Sequence, residues 1–499
     1  MQRDGATGRR NDLCDSAPHL SSTDDEDVPE PHPAETTVRL VGDTRELLEL
    51  TTDLAASFLE SLDERPVLRD VDGGALRSAL DLPLPDGPCD PRDVIAALAA
   101  DADPGIAAMP GGRWFGFVLG GSLPAALAAD WLTSAWDQNA GLYAPAPAAA
   151  IVEEVAGEWL RELLDLPAGV SYAFVTGCQM AHVTALAAAR SKLLRDAGWD
   201  LARKGLYGAP RIRVVVGAKR HATVDRALRL LGMGAPEVVA ADDQGRMRVD
   251  ALATVLGGAA PPLIVCAQVG EVNTGACDDV DAVADLTRDV GAWLHVDGAF
   301  GLWAAASPGH RHLVRGVDRA DSWATDAHKW LNVPYDSGIA FCAHPDAHRA
   351  AMGVHAEYLV HDSGANRDQL DWNPEFSRRA RGFPVYAAIR SLGRSGIAEL
   401  VARSCAHARR IAAELAALPG AELLNDVVLN QVLIRFADDA ETADVLRRVQ
   451  ESGEAWMSGT TWDGRAAIRV SVSNWQTTDD DVERTVAAYR AAVQPKVNA

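Results

Sequence analysis

The sequence has no long apolar run, no paired cysteines and no surplus of basic charge. One charge-free, largely apolar stretch, residues 114–129, is broken by Gly120, Gly121, Ser122 and Pro124. It falls short of the roughly 20 apolar residues that a membrane helix needs. The seven cysteines (Cys14, Cys89, Cys178, Cys266, Cys277, Cys342 and Cys405) are scattered and show no Cys-x-x-Cys spacing. That excludes a zinc or disulfide framework and suits a reducing cytoplasm. Acidic residues outnumber basic ones 70 to 47, for a net charge of −23. Nucleic acid and anionic membrane surfaces are excluded as partners, since both require basic surface. The polar N-terminus, residues 1–37 with Asp24-Asp-Glu-Asp27, offers no apolar signal core. It is expected to be a disordered acidic tail on a soluble, cytoplasmic protein. Also missing are a Gly-x-Gly-x-x-Gly turn after a strand, a Gly-Lys-Ser/Thr phosphate loop, His-Glu-x-x-His and Gly-x-Ser-x-Gly.

A chain of 499 residues with 48% hydrophobic residues can bury a large core and predicts two or three domains. Leu47, Leu48, Leu54, Phe58 and Leu62 recur near helical spacing, which predicts a first helix ending near Asp63. A loop rich in Pro, Asp and Gly follows over 82–91, then helices over 94–100, 125–136 and 152–164. From about 165 to 345 one theme repeats: a short apolar strand, a polar or glycine-bearing turn, then a helix. Strands are predicted at 173–176, 212–216, 237–240, 263–268, 293–296, 322–325 and 338–342, in an α/β fold with a largely parallel sheet. Residues 354–371 read as a mobile loop. A helix is expected over 386–418 and strands over 427–436 and 467–473, in a smaller C-terminal α/β domain closed by a helix from about Asp479.

The residues with chemical potential fall just after these strands, where open α/β sheets bind ligands. They are Thr176-Gly177-Cys178-Gln179, His221, Asn273-Thr274, Asp297 and His328-Lys329. The stretch His295-Val-Asp-Gly-Ala-Phe and the later Thr325-Asp-Ala-His328-Lys329-Trp330 place a carboxylate after one strand and an amine after the next. Pyridoxal 5'-phosphate (PLP) needs that pair: a lysine for the imine and an acid for the ring nitrogen. Burial is expected to lower the Lys329 pKa and free its lone pair. Asp297 has no reason to end an apolar strand without a partner. Gly177 permits a tight turn before a helix over 181–190 whose N-terminus attracts phosphate. Thr176, Cys178 and Gln179 are candidates there, with Asp326 and His328 closing the other side. His221 is read as stacking on the cofactor ring. Tyr358, in the 354–371 loop, is read as the phenol that delivers a proton to the substrate Cα. Arg469, a charge inside a strand, serves equally as a salt-bridge partner or a carboxylate grip, and is not counted as catalytic. No metal site is expected.

These motifs resemble the group II PLP-dependent amino acid decarboxylases, whose members include aromatic L-amino acid, tyrosine, histidine and glutamate decarboxylases. The resemblance covers about residues 45–490. It is carried by Trp293-Leu-His-Val-Asp-Gly-Ala-Phe-Gly, Ser322-Trp-Ala-Thr-Asp-Ala-His-Lys-Trp-Leu, Phe174-Val-Thr-Gly-Cys, His221-Ala-Thr-Val-Asp-Arg-Ala and Tyr358-Leu. It implies an aspartate aminotransferase-like fold of type I. The expected organisation is a tail (1–37), a dimer-forming helical segment (38–145), a large PLP-binding domain (146–390) and a small C-terminal domain (391–499). It further implies a homodimer with the active site at the interface. Lys329 would hold the internal aldimine, Asp297 would pair with the pyridine nitrogen, and His221 would stack on the ring. Thr176, Gly177, Cys178, Gln179 and Asp326 would surround the phosphate, His328 would sit near it, and Asn273 would approach the ring substituents. Tyr358 would be the proton donor, and Phe117, Val118 and Leu119 would line the substrate pocket. The turns Gly177-Cys-Gln-Met, Asp297-Gly-Ala, Asp326 and Val118-Leu-Gly depart from the family's commoner residues. The activity implied is α-decarboxylation of an L-amino acid, with an aromatic or other apolar side chain favoured. An aldehyde-forming oxidative decarboxylase or an aminotransferase is the alternative, and the presence of both His221 and Tyr358 speaks against the aldehyde-forming branch.

Overall fold

A computed structural model describes residues 44–354 and 366–494. Its strands in chain order are β1 (Ser171–Val175), β2 (Arg213–Gly217), β3 (Glu237–Val239), β4 (Leu263–Gln268), β5 (Trp293–Asp297), β6 (Ser322–Asp326), β7 (Gly338–Cys342), β8 (Glu422–Leu423), β9 (Gln431–Arg435), β10 (Ser458–Trp462) and β11 (Arg465–Ser471). Seven of them form one sheet in the order β1-β7-β6-β5-β4-β2-β3. From β6 to β3 every pairing is parallel, and β7 alone runs backwards, wedged between β1 and β6. This is the α/β, largely parallel architecture expected. β8 to β11 form a separate antiparallel sheet of order β10-β11-β9-β8.

The central strands are apolar throughout because both faces of the sheet are covered. Along β2 and β4 the side chains alternate between two cores. Val215, Leu263 and Val265 join the core built with helix Pro147–Leu163. Val214, Val216, Ile264 and Cys266 join the one built with helix Cys178–Asp196. On β5, Trp293 belongs to the second face. By the two-residue repeat, so do His295 and Asp297. The smaller sheet has its own core around Val432, Ile434, Ile468, Val470 and Tyr489.

Two contacts hold the turn after β1. A Cβ on Gly338 at the start of β7 would lie 2.4 Å from the Gly177 Cα, so only glycine lets these backbones meet. Arg378 donates to both Glu153 carboxylate oxygens at 2.5 and 2.7 Å and to the Phe174 carbonyl at 2.7 Å. Both partners are buried, and they tie helix Pro147–Leu163 to the end of β1.

Several elements differ from the sequence reading. β8 and β10 were not expected, because a two-residue strand and Ser-Gly-Thr-Thr-Trp have little apolar signal. β9 is shorter than 427–436, and the long helix starts earlier, at Gly382–Ala416, with left-handed Gly393 inside it. Helix Gly73–Leu80 was also unforeseen. Helices Thr44–Glu60, Gly73–Leu80 and Pro91–Ala102 bury no residue within the chain. The described cysteines are all free, and no described helix is long and apolar enough to cross a membrane. The acidic tail, Cys14, and most of the 354–371 loop with Tyr358 lie outside the described residues.

Replacing Arg378 with Met should strand the buried Glu153 charge and destabilise the fold by ~3–5 kcal/mol. A urea midpoint equal to that of the wild type would show that the pair does not anchor β1.

Candidate active site

Asp297 closes β5 and Asp326 closes β6, so two carboxylates stand at neighbouring strand ends, with Lys329 in the turn after the second. Lys329 Nζ lies 2.9 Å from Asp326 Oδ2. Burial alone would push the lysine pKa down, but Asp326, with Cys178 and Asp297, more than reverses this and holds it above the usual lysine value. The lowered pKa expected from burial is therefore corrected: in this arrangement the amine is an ammonium paired to Asp326. Asp326 has a second task. Its Oδ1 accepts the Cys178 N–H at 2.6 Å and so caps helix Cys178–Asp196, whose N-cap residue, Gly177, offers no side-chain cap. Asp326 thus serves as lysine counter-ion and helix anchor.

Asp297 is 5% exposed. Burial pushes its carboxyl pKa up, yet His182, His221 and Lys329 together outweigh burial and hold it well below the ordinary aspartate value. Its Oδ2 lies 3.6 Å from His182 Nε2, and its Oδ1 accepts the Ala299 N–H at 3.2 Å. His182 belongs to a buried series that the sequence reading did not pick out. His182 Nδ1 is 2.9 Å from His295 Nε2, and His295 Nδ1 is 2.9 Å from Ser322 Oγ. The signal was available: His182 follows Cys178 by one helical turn, and His295 precedes Asp297 by two strand positions. Cys178 Sγ lies 3.5 Å from His182 Nε2 and 3.9 Å from Asp297 Oδ1. Cys178, His182 and Asp297 are the one described trio whose donor atoms approach closely enough for a metal ion. They are already engaged with each other.

His221 is the N-cap of helix Ala222–Leu230 and accepts the Thr223 N–H at Nδ1. Burial lowers its pKa, so the ring is neutral, and it feels Asp297, Lys329 and Arg469. Gln179 donates to the Thr223 carbonyl at 3.3 Å while its Oε1 is buried without a partner, as is Thr325 Oγ1. Thr176 and Gly177 form the turn between β1 and the helix. His328 accepts the Ser337 N–H at Nδ1, sits 3.5 Å from Asp326 Oδ1, and is covered by Tyr335, whose ring centre is 4.3 Å away. Asn273 is turned elsewhere: its amide donates to Glu271 at 2.9 Å and accepts from Thr460 at 2.9 Å, bridging to β10. Arg469 on β11 is buried, with Nε unpartnered and only a 3.4 Å bond to the Val272 carbonyl.

Residues 116–120 run over the backbone of Lys329, since a Cβ on Gly120 would fall 1.9 Å from the Lys329 carbonyl. Phe117 and Val118 both take left-handed backbone angles, φ 58° and 59°, which non-glycine residues rarely adopt. Phe117 is thereby turned outward beside Trp456, at 5.5 Å between ring centres, while Val118 and Leu119 are buried. Trp456 carried no signal in the sequence.

The pyridoxal-dependent decarboxylase conserved domain matches residues 74–437. The chain belongs to that family. It is 25% identical over 468 residues to the aromatic-L-amino-acid decarboxylase of Bacillus atrophaeus, covering 90% of this chain and 95% of the relative. It is also 25% identical over 438 residues to the 4-hydroxyphenylacetaldehyde synthase of Rhodiola rosea, covering 82% of this chain and 87% of the relative. Among solved structures, the Oryza sativa TDC with PLP and tryptamine superposes with a TM-score of 0.84 at 25% identity, covering 90% of this chain and 97% of that one. The protein is a PLP-dependent carboxy-lyase of fold type I. The residues of this pyridoxal-dependent decarboxylase fit the cofactor chemically. An amine and a buried, ionised carboxylate stand near adjacent strand ends, and an unsatisfied polar atom of Gln179 is left at the helix start.

Because its folded pKa is raised, Lys329 stabilises the fold fully below the ordinary lysine value and loses that contribution as pH climbs through the raised one. PLP capture requires the neutral amine, so capture by the cofactor-free protein should quicken as pH rises above neutrality. Asp326→Asn should quicken it at pH 7, by about tenfold for each unit that the pKa falls. Absorbance on mixing with PLP measures this. An unchanged rate would show that Asp326 does not hold the lysine proton.

Proposed function

We propose that this enzyme removes the α-carboxyl group of an L-amino acid with an aromatic or other apolar side chain, releasing CO₂ and the amine. The observation that carries the reading is the placing of Asp297 at the end of β5 and of Lys329 in the turn after the neighbouring β6, with the neutral ring of His221 within the field of both. PLP, when bound, supplies the sink for the electron pair left behind as CO₂ departs. Lys329 ties the cofactor down and yields its place to the substrate amine. Asp297 keeps the ring nitrogen protonated by holding a negative charge beside it. His221 offers a flat neutral face for stacking. Thr176, Gly177, Cys178 and Gln179 offer the helix start to the phosphate, and His328 borders it. Asp326, already bonded to Cys178 and Lys329, acts there through the helix cap and the lysine and not as a direct phosphate ligand. Asn273 supports the cleft by bridging to β10. Tyr358 returns a proton to the substrate Cα.

The outward-facing Phe117 with Trp456, beside buried Val118 and Leu119, supports an apolar side-chain pocket. Arg469, whose Nε has no hydrogen-bond partner among the described residues and which feels the charge of Glu271, is suited to a substrate carboxylate. The unburied apolar faces of the three N-terminal helices, with Leu48, Val94 and Leu98 all about half exposed, support a homodimer formed through residues 38–145. The remaining chain divides into the large cofactor domain (146–390) and the small C-terminal domain (391–499). A cytoplasmic location agrees with the free cysteines. The alternative is the oxidative, aldehyde-forming reaction, which one relative is named for.

Borohydride treatment of the PLP-loaded enzyme should fix the cofactor on Lys329, identified by peptide mass. Labelling of another lysine would refute the assignment. Incubation with the twenty L-amino acids, scored for CO₂, amine, ammonia and peroxide, should give CO₂ and amine from an aromatic or aliphatic substrate. CO₂ with ammonia and peroxide would move the enzyme to the oxidative branch. Tyr358→Phe should spare PLP binding and lower amine formation about 10²-fold or more. Full amine output in that variant would remove Tyr358 from the mechanism.

A further inference from the structure

Behind Asp297 lies a chain of polar groups that the reaction as proposed does not use. Trp293 Nε1 lies 2.9 Å from Ser322 Oγ, Ser322 Oγ lies 2.9 Å from His295 Nδ1, and His295 Nε2 lies 2.9 Å from His182 Nδ1. His182 Nε2 then faces Asp297 Oδ2 at 3.6 Å and Cys178 Sγ at 3.5 Å, and that sulfur lies 3.9 Å from Asp297 Oδ1. Every member is buried. The residues come from β5, β6 and the helix after β1, brought onto one face because His295 pairs with Ser322 in the parallel register of β5 and β6.

An indole N–H at one end and an ionised carboxylate at the other favour one direction for the bonds between them. An indole N–H can only donate and an ionised carboxylate can only accept. Trp293 therefore donates to Ser322, whose hydroxyl proton goes to His295 Nδ1. His295, pushed down to about 3 chiefly by burial, stays neutral and, with Nδ1 taken up by the Ser322 hydroxyl, carries its one proton on Nε2. It donates that proton to His182 Nδ1, which leaves the His182 proton on Nε2, toward Asp297. The contact to Asp297 Oδ2 is longer than a made hydrogen bond, but the thiol of Cys178 supplies a second path of the same direction. Burial, with Asp297 and Asp326, keeps that thiol protonated, so its S–H points on to Asp297 Oδ1. The reverse direction, although the Ser322 oxygen can accept two N–H groups, would turn a lone pair of His182 toward the carboxylate.

We propose that Trp293, Ser322, His295 and His182 form a one-way hydrogen-bond relay that fixes the His182 tautomer and keeps a donor permanently aimed at Asp297. His182 is thus a positioning residue: it holds the carboxylate ionised and oriented for the cofactor nitrogen. The inference rests on the PLP reading above. It also assigns the Cys178, His182 and Asp297 trio to proton ordering, not to a metal.

The test uses the PLP-loaded enzyme labelled with ¹⁵N-histidine, with the His182 signal assigned by its loss in His182→Gln. The expected spectrum shows His182 protonated on Nε2 and bare on Nδ1. Ser322→Ala, remote from the cofactor, should mix the His182 tautomers and raise the PLP dissociation constant about ten- to a hundredfold, the range in which outer-shell partners act. Should Ser322→Ala not fold, Trp293→Phe deletes only the indole donor and asks the same question. His182 protonated on Nδ1 would overturn the relay. So would an unchanged His182 signal in a folded Ser322→Ala or Trp293→Phe variant, or one equivalent of zinc retained by the wild type and lost in His182→Gln. Borohydride labelling away from Lys329 would sink the function while leaving the tautomer signature intact, so the two failures are distinguishable.

Discussion

Asp297 carries a full negative charge at the end of a strand that is otherwise apolar and enclosed. A carboxylate so placed would lose several kcal/mol of hydration and be expected to take up a proton. It does not, because His182 stands behind it and His221 and Lys329 in front. The site is organised around that requirement. The helix after β1 must start where His182 can reach the β5 face. The turn after β2 must present His221, and the turn after β6 must return Lys329 toward the same point.

A second carboxylate divides the labour. Asp326 is tied to the amine and to the first N–H of the helix, so the two acids next to each other at the sheet edge face opposite duties. One is held anionic beside His182, the other is paired with a lysine. Separation by one strand spacing gives each acid its own partner, Lys329 for Asp326 and His182 for Asp297.

Much of this was legible in the residues. The strand-turn-helix series, the Asp297 and Lys329 placements and the His221 turn follow from apolar runs ended by polar residues, a pattern that parallel sheets impose. The relay was written in the same motifs but hidden, since histidine on a strand face looks like filler until the partner strand's register is known. Trp456, just before β10, and Arg469, on β11, lie more than a hundred residues beyond Lys329, and no local pattern announces which way they point. Asp326 was read as a phosphate neighbour because spacing shows proximity but not which partner a side chain chooses. The Lys329 pKa was misjudged for the same reason: burial was foreseeable, the counter-ion was not. Weak strands such as β10, with glycine and serine in place of branched apolar residues, owe their form to pairing with β11 and not to their own composition.

The backward strand β7 gives the cradle an unusual mechanical property. Its first residue, Gly338, touches the turn after β1, while its length is zipped to β6, which ends at Asp326. The anion-binding corner and the lysine-bearing corner therefore share one hinge pin with no side chain. A single methyl group there would displace both corners together, whereas the aromatic wall of Phe117 and Trp456 hangs on other segments. Variation in what the enzyme accepts can thus accumulate at that wall without loosening the grip on the cofactor.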